Sequence, residues 1–282
     1  LVSIIANLEL KYKKPVLPEG SLREAFRISH AVAEVTNIAP SPRQPYVCIS
    51  AFAHKAGLHA SAIKVDPALY QHTEPEFVGN DRRMLVSDMA GRASVELKSQ
   101  EMGIDVSADR ELVGKVVERV KELEMRGYTF EAADASFELL LREAIAGERV
   151  RYFTVLEWST NVERRPDSSV ISRATVKIKA RDKEFITAGE GNGPVNAIDN
   201  ALRKGLESIY PELAALELTD YKVRILEGRQ GTSAVTRVLV ETSDGEGEWT
   251  TVGVHENVIA ASEMALEEAV TYGLLRKGIK PE

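Results

Sequence analysis

The chain has 282 residues, 44% of them hydrophobic and 28% charged, with a formal net charge of −7 at pH 7. That length accommodates two domains with sizeable cores, and the acidic balance argues against nucleic acid or an anionic membrane surface as the main partner. The lone cysteine, Cys48, excludes an internal disulfide and points to a reducing, cytoplasmic compartment; no signal peptide is visible, and no apolar run approaches the roughly 20 residues of a membrane span.

In chain order, "LVSIIANLEL" starts inside an apolar helical pattern with no cap before it, so Leu1 is expected to lie within something larger. "SLREAFRISHAVAEVTN" opens with Ser21 and Glu24 in capping-box spacing, and Leu22, Phe26, His30, Val32, Ala33 and Val35 make an apolar stripe. Residues 38–91 form a loop-rich middle too long for a plain connection, which marks it as a carrier of function. "ELVGKVVERVKELEMRG" puts Leu112, Val116, Val120 and Leu123 on one helical face and stops at Gly127. "FEAADASFELLLREAIAGE" is a further helix ending at Gly147.

After residue 150 the period changes from helical to alternating. Ala174, Val176 and Ile178 face one way in "ATVKIKARDKEFITAG", and "SAVTRVLVETSDGEGEWTTVG" repeats the pattern around a glycine-containing turn. Helices follow at 194–209 (Val195, Ile198, Leu202, Leu206, Ile209) and 256–275 (Ile259, Ser262, Leu266, Ala269, Gly273). A shift of 64 residues lays Thr187 on Thr251, Gly189 on Gly253, Val195 on Ile259, Ala197 on Ala261 and Ala201-Leu202 on Ala265-Leu266. The same shift lays Phe185 on Trp249 and Arg173 on Arg237. A strand–strand–strand–helix unit therefore occurs twice, which predicts a pseudo-symmetric domain.

Two stretches carry candidate chemistry. In "AGEGNGPVNAIDNAL" the glycines Gly189, Gly191 and Gly193 precede Pro194; the second copy keeps one glycine of the three. They fit a tight strand-to-helix turn with Pro194 at the first helical position, or a small anionic ligand whose carboxylate meets N–H groups at the helix start. A nucleotide phosphate fits poorly, since no Walker lysine follows. In "AFAHKAGLHASAIKVDPALYQ" His54 and His59 are five apart with Gly57 between them and Tyr70 beyond. Without an H-x-H, C-x-x-C or H-E-x-x-H pattern a metal at this pair alone is disfavoured, leaving hydrogen-bonded structural histidines or general acid–base work.

Four separated segments, "PYVCISAFAHKAGLHASAI", "EFVGNDRRMLVSDMAGRASV", "GYTFEAADASFELLLREA" and "GNGPVNAIDNAL", resemble the citramalate synthase branch of the 2-isopropylmalate/homocitrate synthase family, and the likeness runs through nearly the whole chain. The resemblance implies an enzyme that joins an acyl-CoA, here acetyl-CoA, to a 2-oxo acid in branched-chain amino-acid biosynthesis. It implies a catalytic TIM barrel, small linker subdomains, and a C-terminal domain sensing an end-product amino acid, isoleucine or leucine. The family's metal ligands (an early aspartate, an H-x-H pair and the asparagine of G-N-x-N) have no counterpart here, so Mg or Mn is expected in the barrel and no cofactor or metal in this chain. "LVSIIANLELKYK" resembles the helix after the asparagine motif, so this chain is expected to be inactive alone. By the same resemblance His59 assists deprotonation of the acyl-CoA methyl group with Tyr70 as its partner. Many relatives place an acidic residue two after the histidine; Ser61 stands here, which weakens the tyrosine match, and His54 is taken as structural or substrate-adjacent.

The expected fold is α+β: residues 1–18 as the end of the barrel, helical linker subdomains over 19–149, and a duplicated βββα regulatory domain over 150–282, paired as a homodimer. The effector pocket is expected at Asn192, Gly193, Pro194, Val195 and Ile198. The alternative is an RNA-binding βββα module with "GRQG" (Gly228 to Gly231) as a GxxG loop. Against it, acidic residues outnumber basic ones over 150–282, the wrong sign for a phosphate backbone.

Overall fold

A computed structural model of the chain describes residues 1–36, 41, 43–55, 57–86, 91–226 and 234–281. They divide into two compact units, Leu1–Val113 and Gly114–Glu282. "GRQG" lies outside the described residues.

The first unit is built from short elements. Helix α1 (Val2–Leu10) is held to the following loop by Tyr46, whose hydroxyl donates to Asn7 Oδ1 at 3.0 Å, and by Gln44, whose amide donates to Ser3 Oγ at 2.7 Å. Ala6, Tyr46, Val47, Phe52 and Val78 form its small core. The capping box expected at Ser21 and Glu24 is not made. Gly20 turns left-handed at φ 80°, Ser21–Glu24 winds as a 3₁₀ turn, and the Glu24 carboxylate takes Arg27 Nε at 2.6 Å instead of reaching back to the backbone. Helix α2 (Ala25–Thr36) then follows, with Val32 and Val35 of the expected stripe exposed. Two-residue strands β1 (Ala53–His54) and β2 (Arg83–Met84) pair in parallel, with α3 (Gly57–Val65) and α4 (Arg92–Glu101) beside them; Ala60 and Ile63 of α3 bury against Met84.

Helix α5 (Arg110–Met125) buries Val113, Val116, Val117 and Val120, and the chain turns at Gly127, φ 104°. Helix α6 (Asp134–Ala146) ends at Gly147 in the left-handed conformation of a C-cap. Strands β3 (Thr154–Arg164), β4 (Val170–Ala180) and β5 (Lys183–Gly191) form an antiparallel sheet in that order, followed by α7 (Pro194–Leu206). Strands β6 (Glu217–Ile225), β7 (Thr236–Ser243) and β8 (Glu248–His255) form a second antiparallel sheet, followed by α8 (Val258–Arg276). On β4 the residues Ala174, Val176, Ile178 and Ala180 alternate into the core, and on β7 Val238 and Val240 do the same. They share one core with Ala197, Ile198, Ala201 and Leu202 of α7 and Ala261, Ala265, Leu266 and Ala269 of α8.

The division at Val113 differs from the boundary expected near 150. Contacts explain it: Ser136 and Glu138 on α6 bond to β8 and α8, and Arg237 on β7 donates to the carbonyls of Gly127 and Tyr128. Helix α6 therefore belongs with the sheets.

Glycines set how closely each helix lies on its sheet. A Cβ on Gly189 would stand 2.6 Å from Ala197 O and from Ala201 N; one on Gly191 would stand 2.5 Å from Asn196 Oδ1 and 2.7 Å from Ala197 N. A Cβ on Gly253 would collide with Ala261 O, 64 positions from the equivalent contact of Gly189. Beside each contact a threonine hydroxyl bonds to the helix backbone, Thr187 to Ala201 O and Thr251 to Ala265 O, both at 2.7 Å. Gly193 is different: its backbone is extended and nothing lies within 4 Å of an added Cβ. We therefore expect Gly189→Ala and Gly253→Ala each to cost about 1–3 kcal/mol by overpacking, read from urea unfolding of the unit's two tryptophans, Trp158 and Trp249. Gly193→Ala is expected to stay within about 0.5 kcal/mol of the parent; equal losses at all three would remove the close-packing explanation.

The second unit also carries buried acids with opposed preferences. Burial opposes the charge of Asp244, yet the N–H groups of Glu246 and Gly247 with Lys277 and Arg276 hold it at about 2. Burial, with Glu267 beside it, pushes Glu263 up to about 7 against Arg149. Asp244 thus stabilises the fold above its ordinary value of 3.8, and that contribution fades as pH falls towards 2. Glu263 binds its proton more tightly folded than unfolded, so its contribution is full below 4.5 and lost as pH rises through 7. Thermal unfolding followed by tryptophan fluorescence should peak near pH 4–5 and fall towards pH 8, with Glu263→Gln raising Tm at pH 8 by about 5 °C and little at pH 4. A Glu263→Gln gain equal at both pH values would contradict this.

Candidate functional site

The loop-rich middle brings three of the expected residues together. His54 occupies β1, where its carbonyl accepts the Leu85 N–H at 2.8 Å. His59 stands in the first turn of α3, beside Ala60, whose burial fixes that helix. Asp66 then caps a 3₁₀ turn, Pro67–Leu69, accepting the Ala68 N–H at 2.9 Å, and this turn folds Tyr70 back onto α3. The His59 and Tyr70 rings lie 4.1 Å apart, and the His54 ring meets His59 edge-on at 6.3 Å.

The two histidines occupy different environments. His54 is buried, its Nε2 has no hydrogen-bond partner, and its pKa is lowered by burial, then by His59 and Arg82, so it is neutral at pH 7. His59 is half-buried and its partner Tyr70 is 42% exposed, so the pair is open to a reactant. Arg82 and Gln71 belong to the same cluster and were not singled out from sequence. Arg82 Nε donates to Gln71 Oε1 at 3.0 Å and Nη2 reaches Glu74 at 3.2 Å. Gln71 directly follows Tyr70, but no spacing pattern links it to Arg82. Among the described residues no three or more His, Cys, Asp or Glu side chains are gathered as for a metal ion.

The second candidate is the turn between β5 and α7. Asn192 is exposed and its N–H meets Asn196 Oδ1 at 3.3 Å, while Gly193 O accepts the Ala197 N–H at 2.9 Å. Pro194 opens α7, where its missing N–H costs nothing, and no side chain caps the helix start. Gly191 is accounted for by close packing; Gly193 leaves its space open. Val195 is half-buried against the core, whereas Ile198 is fully buried within it. The Ile198 side chain packs in the core beneath the turn, so its part in any pocket is support from below.

No helix among the described residues is long and apolar enough to cross a membrane. Residues 47–127 match the homocitrate synthase post-HMGL domain-like family and residues 131–274 the LeuA allosteric (dimerisation) domain. The chain is 66% identical over 281 residues to an (R)-citramalate synthase of Streptomyces coelicolor, covering 100% of this chain and 53% of that protein. It is 46% identical to (R)-citramalate synthases of Geobacter sulfurreducens, with 97% of this chain and 52% of the relative covered, and of Aquifex aeolicus, with 98% and 52%. The chain thus spans about half the length of the curated relatives it matches. The family match over 131–274 and the sheet-and-helix unit ending in α8 together place it: the chain belongs to the LeuA allosteric (dimerisation) domain family.

Proposed function

We propose that this chain is the accessory and feedback-regulatory portion of an acyltransferase that condenses acetyl-CoA with a 2-oxo acid on the route to branched-chain amino acids, working in the cytoplasm. The observation that carries this reading is the open His59–Tyr70 pair beside a buried neutral histidine. An imidazole on an accessible helix turn can take a proton from the methyl carbon of the thioester, leaving an enolate to attack the ketone carbon of the oxo acid. Tyr70, packed at a tilt against the ring, restrains it and offers a hydroxyl to the same reactant. A barrel-bound Mg or Mn ion would polarise the oxo acid. His54, shut away at β1, acts on His59 only by position and field.

The regulatory unit is proposed to pair as a homodimer and to bind isoleucine or leucine at the turn of Asn192, Gly193, Pro194 and Val195, with Ile198 supporting it from below. Exposed apolar side chains on the sheets, among them Val162, Ile186, Val223 and Ile225, suit a paired face. The start of α7 offers N–H groups and the positive end of the helix to the effector's carboxylate.

In the enzyme carrying its barrel, His59→Ala should lower kcat by about 10²–10⁴-fold, the usual contribution of a general base, and His54→Ala far less. Equal small effects would make both histidines structural. Calorimetric titration of this chain with leucine, isoleucine and valine should show binding of at least one. Gly193→Val should abolish it with the circular dichroism spectrum and dimer unchanged, since the side chain enters open space. Binding that survives in the folded variant would move the pocket elsewhere.

A further inference from the structure

The second unit holds an open cavity of about 480 Å³ that neither proposed role uses. Helices α5, α6 and α8, the 147–150 connection and β8 supply its walls, all within Gly114–Glu282. Val116, Leu123, Leu139, Leu140, Val252 and Met264 give it an apolar lining. The remainder is ionic: Lys115, Arg119 and Arg149 share the lining with Glu143, Glu267 and Glu268, and Arg149 meets the last two only as long ion pairs.

Glu267 and Glu268, consecutive on α8, keep only 24% and 21% of their side-chain exposure. The Ser136 hydroxyl donates to Oε2 of Glu268, and Ser136 Oγ in turn accepts the Val252 N–H at 2.9 Å. That leaves Oε1 of Glu268 and the Glu267 carboxylate facing Arg149, whose Nη2 stands 3.6 Å and 3.8 Å away, beyond hydrogen-bond length. On the α5 wall Arg119 is held by Glu122 at 2.7 Å and Lys115 is already partnered. On the α6 wall Glu143 adds negative charge. The cavity therefore has more half-desolvated acceptors than donors, and such acceptors are costly until a donor reaches them.

We propose that this cavity binds a small organic cation, a primary ammonium on an aliphatic body. The ammonium donates to Glu267 and to Oε1 of Glu268, and the aliphatic part lies along Val116, Leu139 and Met264. An ammonium brings three donors and no acceptor, matching what the carboxylates lack. An anion is disfavoured: Glu143, Glu267 and Glu268 repel it, while Lys115 and Arg119 are already partnered and Arg149 is exposed. A bare metal ion fits less well, since the described residues gather no set of three or more ligands. This proposal does not rest on the effector turn.

Protonation offers a signature. Burial foremost, with Glu267 and Glu143 adding to it, pushes Glu268 up to about 7 against Ser136 and Arg149; Glu267 and Glu263 are raised too, and the Tyr128 phenol beside them is raised by burial and Glu268. A cation seated on Glu268 must expel the proton that the empty carboxyl holds.

The test is calorimetry of the 282-residue chain with n-pentylamine, sodium pentanoate, pentanol and norvaline, in two buffers of different ionisation enthalpy. Pentylamine should bind in about the millimolar range, fitting its size. It should release at least about half a proton at pH 7 and almost none at pH 8.5. Pentanoate and pentanol should give no saturable heat. Glu268→Gln should weaken the amine at least about tenfold. Ala144→Phe, which places bulk in the cavity while leaving every carboxylate in the sequence, should abolish binding and guards against a folding defect in the first variant. Absent amine binding, equal binding of pentanol, or binding that survives Ala144→Phe would overturn the proposal. So would tighter binding of norvaline, which would make Arg149 a carboxylate partner and the site one for zwitterions.

Discussion

The regulatory unit depends on two helices lying almost in backbone contact with their sheets. Ala197 and Ala201 on α7 meet Gly189 and Gly191 on β5; Ala261 and Ala265 on α8 meet Gly253 on β8. With no side chain between strand and helix, Thr187 and Thr251 reach helical carbonyls that longer separations would leave out of range. The turn from β5 into α7 is short because the helix begins almost on the strand, and a short turn leaves helix N–H groups pointing outward. Gly189 and Gly191, which look like a ligand loop, are therefore a packing device, whereas Gly193 has open space around it.

The histidine site is assembled differently. Its elements are too short to bury much surface: β1 and β2 have two residues each, and α3 rests on Ala60 and Ile63. Precision comes from local backbone devices. The Asp66 cap and the proline that follows it set one 3₁₀ turn, and that turn brings Tyr70 against His59, the two rings tilted at 34°. A cluster held in this way keeps one imidazole half-buried while its neighbour His54 is buried, its pKa lowered by burial foremost and then by His59 and Arg82.

Much of this was legible in the sequence, for physical reasons. Alternation on β4 exposed its core face because period two is enforced by the pleat, and the shift of 64 residues found Thr187 with Thr251 and Gly189 with Gly253 because the same close contact recurs in both copies. Where the reading failed, a tertiary contact outweighed a local signal. Ser21 and Glu24 had capping-box spacing, but the left-handed Gly20 and the pull of Arg27 on Glu24 gave a 3₁₀ turn. Helix α6 read as a linker because sequence does not show that Ser136 bonds to Val252, 116 residues away. Arg173 and Arg237 align, yet the first bonds Glu190 and Glu163 on its own sheet while the second reaches Gly127 and Tyr128. Copies of one unit keep their packing and reuse their polar positions.

Helix α8 shows what that reuse costs. Its alanine face is committed to β8, so its acidic residues fall on the flank that α6 covers, and Glu263, Glu267 and Glu268 are all raised by burial. A helix selected for stability alone would carry neutral residues there, since desolvated carboxylates oppose folding at neutral pH. The Ser136 bond relieves one oxygen of Glu268, and Arg149 stands too far from the other to complete the set. Carboxylates kept in an open cavity, partly relieved and partly not, match a site that receives its missing donors from outside better than a closed structural network, which would have placed them internally.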